Sequence, residues 1–476
     1  MKQSINQYPN MLKTYFLFVN LPYLSTKNNI FEHVLNIILI SMDKNKSQIK
    51  FPWFYYSLFM MICYAGRLLF NGSASKSDAF KKAKNSGPML VVCNHASSFD
   101  FMFFSPPFFG KKIAFVVAEN MLYSTPFLAK IIRKAKEITK KQYVADIQCV
   151  RKIKRYLDAG ISVALCPEGQ VSSSGKTGVI TMATAKLIKF LGYPVAVCRT
   201  FGAGISRPKW GYTARRGKVI TECDVLFSEN EVKELDINQI YTGLVNALEF
   251  NEHTYQLEND IKFKGRRYAE GIEKLLYQCP KCGKKYTIES KGKIIKCRYC
   301  GNAVEYTKRG QLVGLDDNSY TLKRVDLWYD WQRENMRKKL LNKDFMLSGE
   351  VILFIEKPES ASYKYIAKGK LILDKENISF CSGEELRPAN IKSKYGIGTF
   401  DISVKNGKME AVEEEFKKFS ISIKNNESCA FNPGVSLEFY DAKHSYRFVF
   451  TKEKMATEYA LAIEELYKSR TCKHTI

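Results

Sequence analysis

Apolar positions along this chain follow two rhythms, which change over near residue 270. Between residues 88 and 199, short unbroken apolar runs occur at 89–93 (MLVVC), 112–119 (KIAFVVAE), 161–166 (ISVALC) and 193–199 (YPVAVCR). Runs of this length without alternation read as strands buried on both faces. The stretches between them have helical spacing, as at Ile147, Val150, Ile153 and Leu157, and predict helices over 144–157 and 177–191. Strands alternating with helices predict an α/β domain with a mostly parallel sheet, whose ligand sites lie at the carboxyl ends of the strands. Past residue 345 the period drops to two: Phe419, Ile421, Ile423; Val435, Leu437, Phe439; Tyr446, Phe448, Phe450. That pattern predicts antiparallel strands. An amphipathic helix is expected to close the chain over 452–469, capped by Thr451, with Met455, Tyr459, Ile463 and Leu466 on one face. An aromatic helical segment at 324–340 precedes the strands.

The most apolar window is 51–70, FPWFYYSLFMMICYAGRLLF, interrupted by Arg67. Its clean core is shorter than the roughly 20 residues that cross a bilayer. With Trp and Tyr at its start, it reads as an interfacial or re-entrant helix, or else as a core helix of a soluble domain. The apolar stretch 34–40 is a candidate to pair with it as a hairpin. A length of 476 residues implies roughly two to four domains. A hydrophobic content of 45% excludes a disordered chain. The formal charge of +26 predicts a polyanionic partner, either nucleic acid or the anionic lipids of a cytoplasmic membrane face. The cysteines outside 279–300 are scattered singly, which argues against a secreted disulfide scaffold and for a reducing, cytosol-facing compartment. The first residues show no secretory-signal pattern.

Two polar motifs end two of the expected strands. His95 and Asp100, in NHASSFD, can form a dyad in which the carboxylate holds one ring nitrogen and the other nitrogen takes a proton from a hydroxyl. Ser97 and Ser98 are expected to start a helix there. Alternatively, His95 and Asp100 are simply loop and cap residues. Pro167, Glu168 and Gly169 follow the strand at 161–166. With the strand 193–197 (YPVAV), these motifs resemble, in order and separation, those of the glycerolipid acyltransferases, which include lysophosphatidate acyltransferase. The resemblance covers roughly residues 50–265. It implies an α/β fold with helices flanking the sheet, His95 as general base, and Asp100 as the group that orients it. It also implies a donor that is the acyl thioester of coenzyme A or of acyl carrier protein. The acceptor would be a lysophospholipid hydroxyl, above all that of 1-acyl-glycerol-3-phosphate, held in a pocket with Pro167, Glu168 and Gly169. Cys93 and Cys166, beside the motifs, read as buried strand residues rather than nucleophiles. The family's Pro-Glu-Gly is followed by Thr-Arg-Ser, whose arginine holds the acceptor phosphate, whereas Gln170-Val171-Ser172 stands here. Lys140 or Lys141 are the nearest candidates for a second phosphate contact. The departure favours another acceptor, such as a glycolipid or a different lysolipid.

The pairs Cys279/Cys282 and Cys297/Cys300, each followed by glycine, have the spacing of a zinc ribbon with four thiolates on a structural ion. The antiparallel strands with their closing helix resemble a pleckstrin-homology-like barrel. The expected organisation is membrane-associating helices over 1–75, an acyltransferase domain over 76–265, the zinc ribbon over 270–308, a helical linker over 309–345 and the β domain over 346–476. The expected partners are an anionic lipid surface at the cytoplasmic face of the membrane, a lipid acceptor and, as one donor, acyl carrier protein. A basic ribbon also admits a rival reading, an inactive scaffold on membrane or nucleic acid, with nucleic acid the disfavoured partner.

Overall fold

The structure is a computed structural model that describes residues 49, 51–123, 126–357, 362–383, 400–401, 404–405, 408–409, 414–441, 444–451 and 454–471. The apolar stretch 34–40 lies outside them. The α/β part is built on a seven-stranded sheet in the order β1-β7-β6-β2-β5-β3-β4. These strands are β1 (Gly72–Lys76), β2 (Leu90–Cys93), β3 (Ile113–Ala118), β4 (Ile138–Lys140), β5 (Ser162–Leu165), β6 (Val195–Phe201) and β7 (Val219–Phe227). Only the β6–β7 pairing is antiparallel. The sequence therefore predicted a mostly parallel sheet correctly, with its unalternated strands in the middle. Leu90, Val91, Val92 and Cys93 of β2 are all buried, as a strand covered on both faces requires.

Helix α1 (Trp53–Leu69) covers one face of this sheet with Tyr56 and Met60, while Phe54, Met61, Leu68 and Leu69 point to solvent. One face of this helix is therefore packed as the core-helix reading expects, and the other is apolar and exposed. Among the described residues no helix is long and apolar enough to cross a membrane. On the other face lie α2 (Ile147–Asp158), begun by Asp146 accepting from the Cys149 amide, and α3 (Met182–Leu191). Both start a few residues later than their periodicity predicts.

A four-stranded antiparallel sheet over 288–314 holds Cys297 at the end of one strand and Cys300 in the turn after it, while Cys279 and Cys282 lie in the turn before the sheet. It packs with α5 (Val325–Leu340), which follows α4 (Glu252–Glu258) in the chain, in one large core shared with the C-terminal sheet. Arg215 joins this core to the α/β part. Its buried guanidinium lies among the rings of Trp210, Tyr268 and Tyr306, and it donates to the carbonyls of Ile205 and Tyr268. The C-terminal sheet runs in the order Lys418–Ser422, Asn377–Ser382, Ser362–Leu373, Leu347–Lys357, Ser445–Phe450, Ser436–Tyr440, Ala430–Asn432. Adjacent members of that path are antiparallel, while the short strand Phe400–Asp401 pairs in parallel with Ser362–Leu373.

The closing helix α6 (Ala456–Thr471) differs from expectation in two ways. Thr451 does not cap it, because its N–H and hydroxyl both donate to the Glu350 carbonyl. Nor is the helix two-faced: Ala456 through Leu466 are all buried, including Glu458, Glu464 and Glu465. Cations from the parts packed around it occupy those carboxylates, Lys285 on Glu458 and Arg333 on Glu464 and Glu465. The charged positions of the helix are thus buried in ion pairs with distant segments.

Candidate active site

The parallel strands β2 and β5 end side by side, and their continuations form the site. Beyond β2 the chain is fastened by Asn94, whose side chain donates to the Thr200 carbonyl and accepts from the Thr200 amide, both at 2.8 Å. His95 follows, with its Nδ1 2.9 Å from Asp100 Oδ2. Asp100 is in turn held by the Ser97 amide, 3.0 Å from each carboxylate oxygen. Ser97 and Ser98 do not begin a helix. The chain turns through them, with the Ser97 hydroxyl accepting from the Phe99 amide and its carbonyl from the Asp100 amide, and the turn runs into a helix that is regular only from Phe101. Burial pushes the Asp100 carboxyl above its usual range, opposed by the bonds from His95 and from the amides of Ser97 and Ala96. The Nδ1 contact leaves Nε2 as the ring nitrogen able to accept a proton. The His95 side chain is 26% exposed and that of Asp100 1%, so the imidazole is reachable and the carboxylate holding it is not.

Glu168 ties the second motif to the first. It is 1% exposed; Oε1 accepts from the His95 amide at 2.8 Å and Oε2 from the Gly178 amide at 2.6 Å. Both carboxylate oxygens are therefore engaged with backbone. This geometry is that of a group organising the loop. Burial raises the Glu168 carboxyl to about 7, against the two amide bonds. Gly169 has φ of +70°, a conformation that favours glycine, and its amide donates to the Cys166 carbonyl in the tight turn through Pro167. The loop then returns: the Ser172 amide donates to the His95 carbonyl at 2.7 Å. His95 is thus held through both of its backbone polar groups by residues 168–172. Cys93 is buried in β2 as expected, whereas Cys166 lies one residue past the end of β5 and is only partly buried, with desolvation pushing its thiol well above its usual range.

Of the two candidate lysines, Lys140 is engaged elsewhere. The Lys140 ammonium donates to the Lys141 and Val144 carbonyls, at 3.0 and 3.1 Å, closing the turn into α2. Lys141 lies in the field of Glu119 and Glu356. Val171 lines a cavity of about 390 Å³ on the far side of the Pro-Glu-Gly loop, together with Glu168, Ser172 to Ser174 and residues of α5 and α6. Neither lysine lines it.

Several residues of the site carry no sequence signal. Glu252, at the start of α4, is fully buried and accepts from the Gly202 and Gly204 amides beside the dyad loop; burial raises it to about 8. Gln142 donates to the Gly169 carbonyl and Tyr143 to the Glu168 carbonyl. Gln170 reaches the C-terminal sheet, donating to the Cys429 carbonyl at 3.2 Å and accepting from Lys209 at 2.9 Å. These contacts join residues far apart in the chain, and no local pattern announces them.

Cys279, Cys282, Cys297 and Cys300 bring their sulfurs within 4.8 Å of one another, so the group has the donors and spacing to hold a metal ion. Gly283 and Gly301, at φ of +74° and +75°, turn each pair so that their amides reach the Cys279 and Cys297 carbonyls. Amides of Lys281 and Cys282 face the Cys279 sulfur, and those of Tyr299 and Cys300 face the Cys297 sulfur. Four thiolates with amide support suit zinc in a closed site.

The family model described as Acyltransferase matches residues 76–198, the segment that carries both motifs, and supports assigning that segment to acyltransferases. Among solved structures, the 1-acyl-sn-glycerophosphate acyltransferase PlsC from Thermotoga maritima is similar at 16% identity, with a TM-score of 0.35, over 50% of this chain and 92% of that one. No curated protein matches this chain.

The buried carboxyls make stability depend on pH. A carboxyl raised in the folded state contributes stability at low pH that is lost as pH climbs toward its folded value. Glu252, at about 8 when folded and near 4.5 when unfolded, loses about 2 kcal/mol between pH 5 and 6.5. His253, held below its usual range by burial, opposes this in the same window. Comparing the protein with Glu252→Gln isolates the effect. Urea titrations at the two pH values should show the wild type losing about 2 kcal/mol relative to the variant, and parallel pH dependences would contradict the assignment.

Proposed function

We propose that the protein moves an acyl group from an acyl thioester, of coenzyme A or acyl carrier protein, to a hydroxyl of a lysolipid. The carrying observation is the His95–Asp100 pair, with His95 braced through its own backbone by Glu168 and Ser172. Nε2 takes the proton of the acceptor hydroxyl as its oxygen attacks the thioester carbonyl carbon. The C–O bond forms, the C–S bond breaks, and the imidazolium returns the proton to the departing thiolate. Asp100, fixed by the Ser97 amide, supports the imidazolium that forms between these steps.

The exposed side of α1 supports work at a membrane surface rather than across it. Phe54, Met61, Leu68 and Leu69 are each at least 69% exposed, with Phe109 close by through Tyr64. Lys134 over the Tyr55 ring and Lys84 on the Phe109 carbonyl give this side a basic rim, complementary to anionic lipids on the cytoplasmic face. The cysteine cluster is read as a structural zinc site. The β domain of residues 346–476, whose antiparallel order and closing helix support the pleckstrin-homology-like reading, is assigned to positioning the enzyme.

Anionic vesicles carrying lysolipids, labelled acyl-coenzyme A or acyl carrier protein, and full-length protein test the reaction and the docking together. The protein should sediment with the vesicles and form diacyl product, and His95→Ala should lower the rate by at least 10³-fold. Equal rates from both proteins would remove His95 as base, and product formed without vesicle binding would remove the docking face. For the metal, elemental analysis should find about one zinc per chain, lost in Cys297→Ser with a lower melting temperature. Metal-free protein with oxidised cysteine pairs would overturn the zinc assignment.

A further inference from the structure

The cavity of about 390 Å³ behind the Pro-Glu-Gly loop is within the size range of small-molecule sites. It shares Glu168 with the dyad: the carboxyl that accepts from the His95 amide also forms part of its wall. The other wall comes from the C-terminal half, through Tyr329 and Arg333 of α5, Phe431, and Glu464 and Lys468 of α6.

Every cation on this wall is paired with a carboxylate. Lys176 lies 2.8 Å from Asp330; Arg333 bonds Glu464 and Glu465 at 2.8 and 2.6 Å; Lys468 lies 3.3 Å from Glu465. Wall carboxyls include Glu168, Glu249 and Glu464. A phosphate would add negative charge to a cavity whose positive groups are already neutralised, so this wall repels it. The hydroxyls differ. Among the described residues, those of Ser173, Ser174 and Tyr329 on the wall make no side-chain hydrogen bond. Unpaired hydroxyls, the Glu249 carboxylate, and aromatic faces from Tyr143 and Tyr241 are the equipment for a neutral group rich in hydroxyls.

Resting on the acyl-transfer reading, we propose that this cavity seats the headgroup of the acceptor and that the headgroup is an uncharged sugar or similar polyol. The C-terminal half thereby takes part in choosing the substrate. Saturation-transfer NMR with the full-length protein tests this without turnover, using methyl β-D-glucoside and glycerol 3-phosphate as probes. The glucoside should bind and glycerol 3-phosphate should not. The Ser173→Ala/Ser174→Ala double variant should weaken glucoside binding at least tenfold, and Ser174→Trp, which fills the cavity, should abolish it, with both melting within a few degrees of wild type. Binding of glycerol 3-phosphate, binding of neither probe, or glucoside affinity unchanged in the folded variants overturns the assignment. Glucoside binding in a protein that transfers no acyl group overturns the acyl-transfer reading instead, so the two failures are distinct.

Discussion

The site hangs on one buried carboxyl group. Glu168 lies at the carboxyl end of β5, reaches across to the neighbouring strand end, and takes hydrogen bonds from the amides of His95 and Gly178. Placing a carboxyl there is costly, which its rise to about 7 records, and the cost is offset only because both oxygens have donors. Without it, the His95 amide and the returning loop would have no common partner. The dyad, the Pro-Glu-Gly turn and the cavity are therefore parts of one hydrogen-bonded unit rather than three motifs in proximity.

The C-terminal half braces the same unit from behind. A chain of polar contacts runs from Arg447 to Glu438, from Glu438 to Asn120, from Asn120 to Gln142, and on to the Gly169 carbonyl. A second route passes from the Cys429 carbonyl to Gln170. Arg447 and Glu438 are both buried, so this pairing is insulated from solvent, and loosening the sheet would be felt at the loop. The position occupied by Val171 has an analogous meaning. Next to Gln170, which is committed to the C-terminal sheet, it presents an apolar surface to the cavity that sheet helps enclose.

How far the sequence reveals this differs by element. The parallel sheet was legible because four strands read as unbroken apolar runs, and the dyad because His95 and Asp100 are close in the chain. The cysteine cluster was legible for the same local reason. Ser97 does start a turn, with Asp100 accepting from its amide three residues on, but regular helix begins only at Phe101. Thr451 misled because Glu350, about a hundred residues earlier, takes its donors. The burial of Glu458, Glu464 and Glu465 in α6 was not legible because their partners Lys285 and Arg333 lie in other segments. Glu168 was visible as part of a motif, but its work as a backbone bridge was not, since the Gly178 and His95 amides have no signature in a sequence.

Hydrogen–deuterium exchange of Glu168→Gln against wild type tests the bridging role of Glu168 most directly. Glutamine can accept one of the two amide bonds and must turn its own N–H₂ toward the other. Peptides covering residues 90–100 and 166–180 should then both exchange at least tenfold faster, while a peptide over β6 is unchanged. Acceleration of neither peptide, or of only one, would contradict a carboxyl that joins the two motifs.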